Sequence, residues 1–161
     1  MGGLAAIAGL GYTAYKSWQA GEAGSGLQTP PAGSGFAVED RDHNDEFVLT
    51  LVRAMIAAAR ADGHIDDQER ALISDRLQHA GIGAEAEAFF NKELAQPTDI
   101  DAIVASAVSE SQKVELYTAS RLTIDPGTRA ERGYLDMLAG RLDLPDALVD
   151  QIDQTVSAAR A

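Results

Sequence analysis

The feature that most constrains the fold is a helical spacing of apolar residues that runs through residues 46–161. In the first such segment Phe47, Leu51 and Met55 recur at i, i+4 and i+8, which places them on one face of a helix. Similar stripes follow one another to the end of the chain, and no stretch alternates convincingly as a β-strand would. The pattern predicts a compact all-α domain of about seven short helices.

Signals for helix starts and stops divide this domain. Thr128 and Glu131 have the spacing of a capping box, and Asp66 and Glu69 have the same spacing with Asp in place of Ser or Thr. Pro97 ends one helical segment, because a proline lacks the backbone N–H that continues a helix. The predicted helices cover approximately residues 46–61, 66–80, 84–94, 99–108, 110–124, 129–142 and 145–156.

A weak internal repeat relates the two halves of the domain. Aligning them places Val52 on Val114 and Glu69 on Glu131. Each half then consists of an apolar helix, an acidic bend and a capped helix. This arrangement predicts two helix hairpins that pack with pseudo-two-fold symmetry.

The formal net charge of −12 restricts the partners of the chain. Such a surface repels phosphate backbones, so we expect no nucleic-acid partner. It leaves carboxylates available for cations or for a basic protein surface. The absence of cysteine rules out disulfides and thiolate metal sites. Residues 9–14 formally fit a dinucleotide fingerprint, but no strand precedes them, so no organic cofactor is expected.

Residues 1–19 form an apolar segment that is rich in small residues and ends in Tyr15, Lys16 and Trp18. Its uncharged run is shorter than the roughly 20 residues of a simple spanning helix, although the aromatic and basic end resembles a membrane-interface belt. Three alternatives stay open: a membrane-associating helix, a helix packed on the domain or on a neighbouring chain, and a disordered tail. Residues 20–45 are rich in Gly, Ser and Pro and predict a flexible linker.

The most informative motif is an acidic bend at residues 62–69, which contains Asp62, Asp66, Asp67 and Glu69. Negative charge in the first turn of a helix is favoured by the helix dipole, so the last three carboxylates are explained without a ligand. Asp62 instead lies at the C-terminal end of the preceding helix, where the dipole disfavours an anion. It therefore requires a compensating partner, for which backbone N–H groups, a neighbouring arginine and a metal ion are the candidates.

A metal at this bend would be a divalent cation. The spacing of Asp62 and Glu69 fits positions 5 and 12 of an EF-hand loop. Arg60 occupies position 3 and cannot supply a ligand, so an ordinary EF-hand is excluded. A weaker Ca²⁺ or Mg²⁺ site would need further oxygens, which Asp125 and Glu131 in the second bend could supply. Helix capping and ion pairing are the alternative explanation of the same carboxylates.

The residues around both bends resemble a known family. The stretch ADGHIDDQER at 61–70 is similar to the signature of tellurite-resistance TerB-like domains. The stretches at 124–135 and 142–145, with the opening segment, are similar to the YebE-like branch, bacterial inner-membrane proteins of unknown function. The resemblance implies an all-helical TerB-like fold at the inner membrane with its domain in the cytoplasm; a soluble cytoplasmic protein is the alternative. It also implies metal-binding carboxylates, which would be Asp62, Asp66, Glu69, Asp125 and Glu131.

An apolar N-terminus, a linker and an acidic domain together predict a non-catalytic binding or scaffold module that responds to a divalent cation or to chemical stress. Its partner would be another protein or a second copy of the chain, and its membrane contact would be residues 1–19. One alternative is a metal-dependent enzyme, or a subunit of one, that uses the acidic bend. The other is a homo-oligomeric structural protein in which residues 1–19 are the assembly helix.

Overall fold

The computed structural model describes residues 3–21, 30–31, 34, 36, 45–61, 65–79, 86–124 and 127–160. Within these ranges the chain forms eight α-helices and no β-strand, so the predicted all-α class is confirmed. The helices are α1 (Gly3–Ala20), α2 (Asp45–Ala59), α3 (Asp67–His79), α4 (Ala86–Leu94), α5 (Ile100–Ala105), α6 (Glu110–Thr123), α7 (Arg129–Arg141) and α8 (Asp146–Arg160).

Polar side chains at the N-termini of α5 and α6 confirm two of the predicted helix starts. The Asp99 carboxylate accepts a hydrogen bond of 3.0 Å from a backbone N–H in the first turn of α5. Ser109 and Gln112 form a capping box at the start of α6. α5 ends at Ala105 rather than at the predicted Val108. The N–H of Val108 does not continue α5, because it donates to the Gln112 side chain in the first turn of α6.

The central helix of the fold is α6, which contacts α1, α2, α3, α7 and α8. All residues from 114 to 121 are buried, so neighbours cover this helix on every side. The predicted core residues Val114, Leu116 and Tyr117 are among them, each at most 1% exposed. Glu115 and Arg121 are buried as well, although a charged residue usually marks the solvent side of a helix.

Three serine and threonine hydroxyls in α6 are buried without needing a partner on another helix. Thr118, Ser120 and Thr123 each donate to the carbonyl four residues earlier, at 2.7, 3.0 and 2.9 Å. This internal bond satisfies the hydroxyl and leaves the side chain's carbon atoms to pack against neighbouring helices. A helix with few strongly apolar residues can therefore lie at the centre of the protein.

The N-terminal helix α1 packs on α8, α6 and α3. All residues from 7 to 14 are buried, and the ring centroid of Phe36 lies 5.8 Å from that of Tyr12. Gly11 lies so close to α6 that an added Cβ would sit 3.4 Å from the Thr118 hydroxyl oxygen. In the part of the chain that the structure describes, no helix has both the length and the apolar character to cross a membrane.

The end of α7 shows how one unfavourable residue is accommodated. Asp143 adopts a left-handed conformation with φ of 57°. Its N–H donates to the Gly140 carbonyl, and the N–H of Leu144 donates to the Ala139 carbonyl, both at 3.1 Å. These two bonds define a Schellman motif, which satisfies carbonyls at the helix end and directs the chain into α8.

The predicted repeat aligns residues of the first half with residues of the second half, and aligned residues have similar surroundings. Val52 and Val114 are both buried, as are Ile73 and Leu135. The contact between α2 and α6, which carry the first pair, is the most extensive in the fold. The pseudo-two-fold symmetry itself stays a prediction, as does the division of the chain into residues 1–19, 20–45 and 46–161.

Candidate functional site

The described part of the first acidic bend is a helix cap. The Glu69 backbone N–H donates to Asp66 Oδ1 at 2.8 Å, and Asp66 N–H donates to Glu69 Oε2 at 2.9 Å. This reciprocal pair is the predicted capping box, formed by Asp in place of Ser or Thr. Asp62, whose orientation decides the case for a metal, lies outside the described residues together with His64.

The second bend is capped in the same way. Glu131 Oε2 accepts hydrogen bonds from the N–H groups of Gly127 at 2.9 Å and Thr128 at 3.4 Å. In return, the Glu131 N–H donates to the Thr128 hydroxyl at 3.2 Å. Asp125 lies outside the described residues. Thus Asp66, Glu69 and Glu131, the predicted metal ligands that the structure describes, all cap helices.

The metal hypothesis for the two bends stays a prediction. Over the described ranges, no group of three or more His, Asp or Glu side chains is placed to hold a metal ion. Arg60 and Arg70, the arginines closest in sequence to Asp62, have contacts of their own. Arg60 donates to the Gln96 carbonyl at 2.9 Å, and the Arg70 guanidinium lies 4.6 Å from the centre of the Phe90 ring.

A groove with both polar and apolar lining lies between α2, α4 and α5. It encloses about 240 Å³ and is open to solvent. Its polar lining includes Thr50, Arg53, Arg60, Glu93, Asp99 and Ser106. Ile56 and Ile103, which are 3% and 5% exposed, form part of its apolar wall. We refer to this cavity as the α2–α5 groove.

Arg53 on α2 and Arg60, which directly follows α2, give the groove its electrostatic character. Arg53 Nε lies 3.2 Å from Glu93 Oε1, and the Arg53 side chain remains 43% exposed. Arg60 Nη1 donates to the backbone carbonyls of Glu93 and Gln96, at 3.4 and 2.9 Å, at the C-terminal end of α4. A cation at this end is favourable, because the last carbonyls of a helix carry partial negative charge. Both guanidinium groups therefore meet α4 around Glu93.

A second polar cluster joins α6 to α8, and we call it the α6–α8 junction. Arg121 donates to the Ile124 carbonyl at 3.1 Å and to the Ser157 hydroxyl at 3.0 Å, and its Nε lies 3.4 Å from Asp153 Oδ1. The Tyr117 hydroxyl donates to the same carboxylate oxygen at 2.9 Å. The Arg121 side chain is only 6% exposed. Its guanidinium is thus enclosed and bonded on several sides.

Burial sets the protonation of this junction. Desolvation raises the pKa of Asp153 above its ordinary value, and it outweighs the opposing effects of Tyr117 and Arg121. Desolvation also raises the pKa of Tyr117, and the neighbouring Asp153 charge adds to the rise. The Tyr117 hydroxyl therefore stays protonated and acts as a donor, which suits a structural role better than a reactive one.

Sequence reasoning missed the groove and the junction. Arg53 and Arg60 are seven residues apart, a spacing that places two residues on one face of a helix, and this spacing was the available signal for the groove. Its other wall comes from α4 and α5, which no local pattern connects to α2. For the junction, Arg121 reads as a cation in the last turn of α6, and only the packing of α8 shows that it is buried.

Comparison with known proteins identifies a matching family and a relative. A family model described as "Protein of unknown function (DUF533)" matches residues 1–156. This family is TerB-like, so the broader part of the resemblance is confirmed. An "Uncharacterized protein in ampR 5'region" from Yersinia enterocolitica is 33% identical over 112 residues, which cover 70% of this chain and 81% of that protein. No solved structure matches the chain.

Proposed function

We propose that the protein, which belongs to the TerB-like family described as "Protein of unknown function (DUF533)", is a non-catalytic helical binding module. The observation that carries the proposal is the α2–α5 groove, which combines two guanidinium groups, hydroxyls and an apolar wall in one open cavity. Convergent polar groups beside apolar surface are typical of binding sites. The lining does not include Asp66, Glu69 or Glu131. This cavity therefore does not support the alternative of an enzyme that uses the acidic bends.

Site-specific photo-crosslinking in bacterial cells tests the binding function. A photo-crosslinking amino acid would replace Ser106, which is exposed and lines the groove. The matched control is the same replacement at Gln154, which is exposed on α8 and is not part of the groove. We expect a discrete adduct from position 106 and none from position 154. Equal labelling at both positions, or no adduct at either, would argue against a binding role for this surface.

Association with the bacterial inner membrane is a second part of the proposal, with α1 as the contact. The apolar sequence of α1 and its end at Tyr15, Lys16 and Trp18 support this contact. The similarity of residues 124–135, residues 142–145 and the opening segment to the YebE-like branch supports it as well. In the described packing the apolar residues of α1 face α6 and α8. We therefore propose that α1 reaches the membrane when it leaves these helices, while the remaining domain stays on the cytoplasmic side.

Substitutions at Gly11 test this membrane contact. An added Cβ would lie at ordinary contact distance from Thr118 and Val114, so Gly11→Ala leaves α1 in place. The larger side chain of Gly11→Leu overfills the same space and should loosen α1. We expect Gly11→Leu to float with vesicles of phosphatidylethanolamine and phosphatidylglycerol more than Gly11→Ala or the wild type does. Absence of all three proteins from the floating fraction would refute the proposal.

A response to divalent cations completes the proposed function and rests on Asp62, Asp66, Glu69, Asp125 and Glu131. Ca²⁺ or Mg²⁺ at these carboxylates would stabilise the folded state, because an ion that binds only the native protein shifts the unfolding equilibrium. Thermal melting with each ion at millimolar concentration is the test. A melting temperature that does not rise would remove the cation from the proposal.

A further inference from the structure

We propose that the α2–α5 groove binds its ligand through a carboxylate group, which Arg53 and Arg60 hold beside an apolar wall. The inference rests on the proposed binding function and adds the chemical class of the ligand. Neither of the acidic bends takes part in it. It follows from the hydrogen-bond donors, the charges and the size of the groove.

Arg53 and Arg60 supply the groove with hydrogen-bond donors. Arg53 uses Nε in its contact with Glu93, and Arg60 uses Nη1 in its contacts with the end of α4. Beyond these bonds, no residue in the described ranges accepts a hydrogen bond from either guanidinium. A guanidinium has five N–H donors in a planar fork whose geometry matches the two oxygens of a carboxylate. Donors on both arginines therefore remain for a ligand that enters the groove.

The charges that line the groove balance one another. Glu93 and Asp99 also line it, but each carboxylate is already engaged. Glu93 pairs with Arg53, and Asp99 accepts the N–H of Ala102 at the start of α5. Arg53 in α2 and Arg60 directly after it stand seven residues apart, about 10 Å along the helical path, yet both reach toward Glu93. Two arginines and two carboxylates leave the lining with no net formal charge, whereas the chain as a whole carries −12, so an anion meets less repulsion in the groove than the net charge of the chain would otherwise impose.

The volume of the groove limits the size of its ligand. The cavity of about 240 Å³ is smaller than the roughly 300–1,000 Å³ typical of pockets for drug-sized ligands. It suits a carboxylate with one small apolar substituent, which would lie against Ile56 and Ile103. A small organic acid has this chemistry, and so does the C-terminal residue of a polypeptide that ends in an apolar side chain.

An NMR titration of the full ¹⁵N-labelled chain tests the proposal and distinguishes these two sources. The probes are N-acetylleucine, the tripeptide acetyl-Ala-Ala-Leu with a free carboxyl terminus, and the amide of each. We expect at least one acid to shift the backbone amide signals of Thr50 and Ser106 with saturation, and its amide to bind at least about tenfold more weakly. Equal binding of both acids would assign the site to small acids, and binding of the tripeptide acid alone would assign it to chain termini.

Arg53→Gln is the variant that tests the residue assignment. The described contacts of the Arg53 guanidinium are with the side chains of Glu93 and Phe89, whereas Arg60 bonds to backbone carbonyls at the end of α4. We expect Arg53→Gln to weaken binding of the acid by about tenfold or more without changing the melting curve. Arg141→Gln, which removes an exposed arginine outside the groove, should bind as the wild type does. Failure of both acids to bind, equal binding of acid and amide, or full binding by Arg53→Gln would overturn the proposal. If the replacement at Ser106 still gave a specific crosslink after such a result, the proposed binding function would be retained and only the proposed carboxylate ligand would be rejected.

Discussion

The α6–α8 junction and the α2–α5 groove both contain arginines that contact a carboxylate, yet their surroundings are opposite. The Arg121 side chain is 6% exposed and bonds to a carbonyl, a hydroxyl and Asp153. The Arg53 side chain is 43% exposed and, within the described residues, donates a hydrogen bond to Glu93 alone. The same residue type is thus part of the internal structure in one region and available to a ligand in the other.

This contrast shows which arginines the fold depends on. A buried guanidinium must have its donors satisfied within the protein, because water cannot replace a missing partner there. An exposed guanidinium keeps its water and loses little when a protein partner is removed. Substitutions in the two regions should therefore change the free energy of unfolding by different amounts.

Arg121→Ala should have the largest effect on the free energy of unfolding. The substitution leaves the Ile124 carbonyl without its side-chain donor and opens a void between α6 and α8. We expect the free energy of unfolding to fall by about 3 kcal/mol, measured by urea denaturation. The matched control is Arg141→Ala, because Arg141 pairs with Asp101 at the surface, where the two side chains are 46% and 81% exposed. The control should change stability by less than about 1 kcal/mol, and a similar loss in both variants would remove the distinction between the regions.

Asp153 should give the junction a measurable pH dependence. Its pKa is raised in the folded state above the ordinary value of 3.8, so the folded protein binds this proton more tightly than the unfolded chain does. The contribution of Asp153 to stability is therefore greatest below pH 3.8 and decreases as the pH rises toward its folded-state pKa. Urea denaturation at several pH values from 3 upward would compare the wild type with Asp153→Asn. Relative to the variant, the wild type should lose stability across that window, and parallel pH profiles would show that the raised pKa is wrong.

Arg53→Gln should have the smallest effect on stability. The pair with Glu93 is half-exposed on the arginine side, and such pairs contribute about 0–1 kcal/mol. We expect the free energy of unfolding to change by less than about 1 kcal/mol in a urea titration. A loss as large as that of Arg121→Ala would mean that Arg53 is a structural residue, and the groove would lose its status as a ligand site.

Helix ends were predictable from the sequence because their chemistry is local. Asp66 with Glu69, Ser109 with Gln112, and Thr128 with Glu131 satisfy backbone groups within the same turn, so no distant residue is needed. The apolar stripe of α2 was also predictable, and Phe47, Leu51 and Met55 are each at most 2% exposed. Asp62 and Asp125, on which the metal hypothesis depends, lie outside the described residues and remain predictions from sequence.

The sequence by itself determined that the chain is helical and where many of its helices begin, because hydrophobic period and capping act over a few residues. Only the tertiary structure decided that α1 packs against α6 and α8, and that α6 is central despite Thr118, Ser120 and Arg121. It also decided which arginines are buried and which line a groove, since that depends on helices that are distant in sequence. A side chain's role in this protein follows from what surrounds it, and residues far along the chain supply those surroundings.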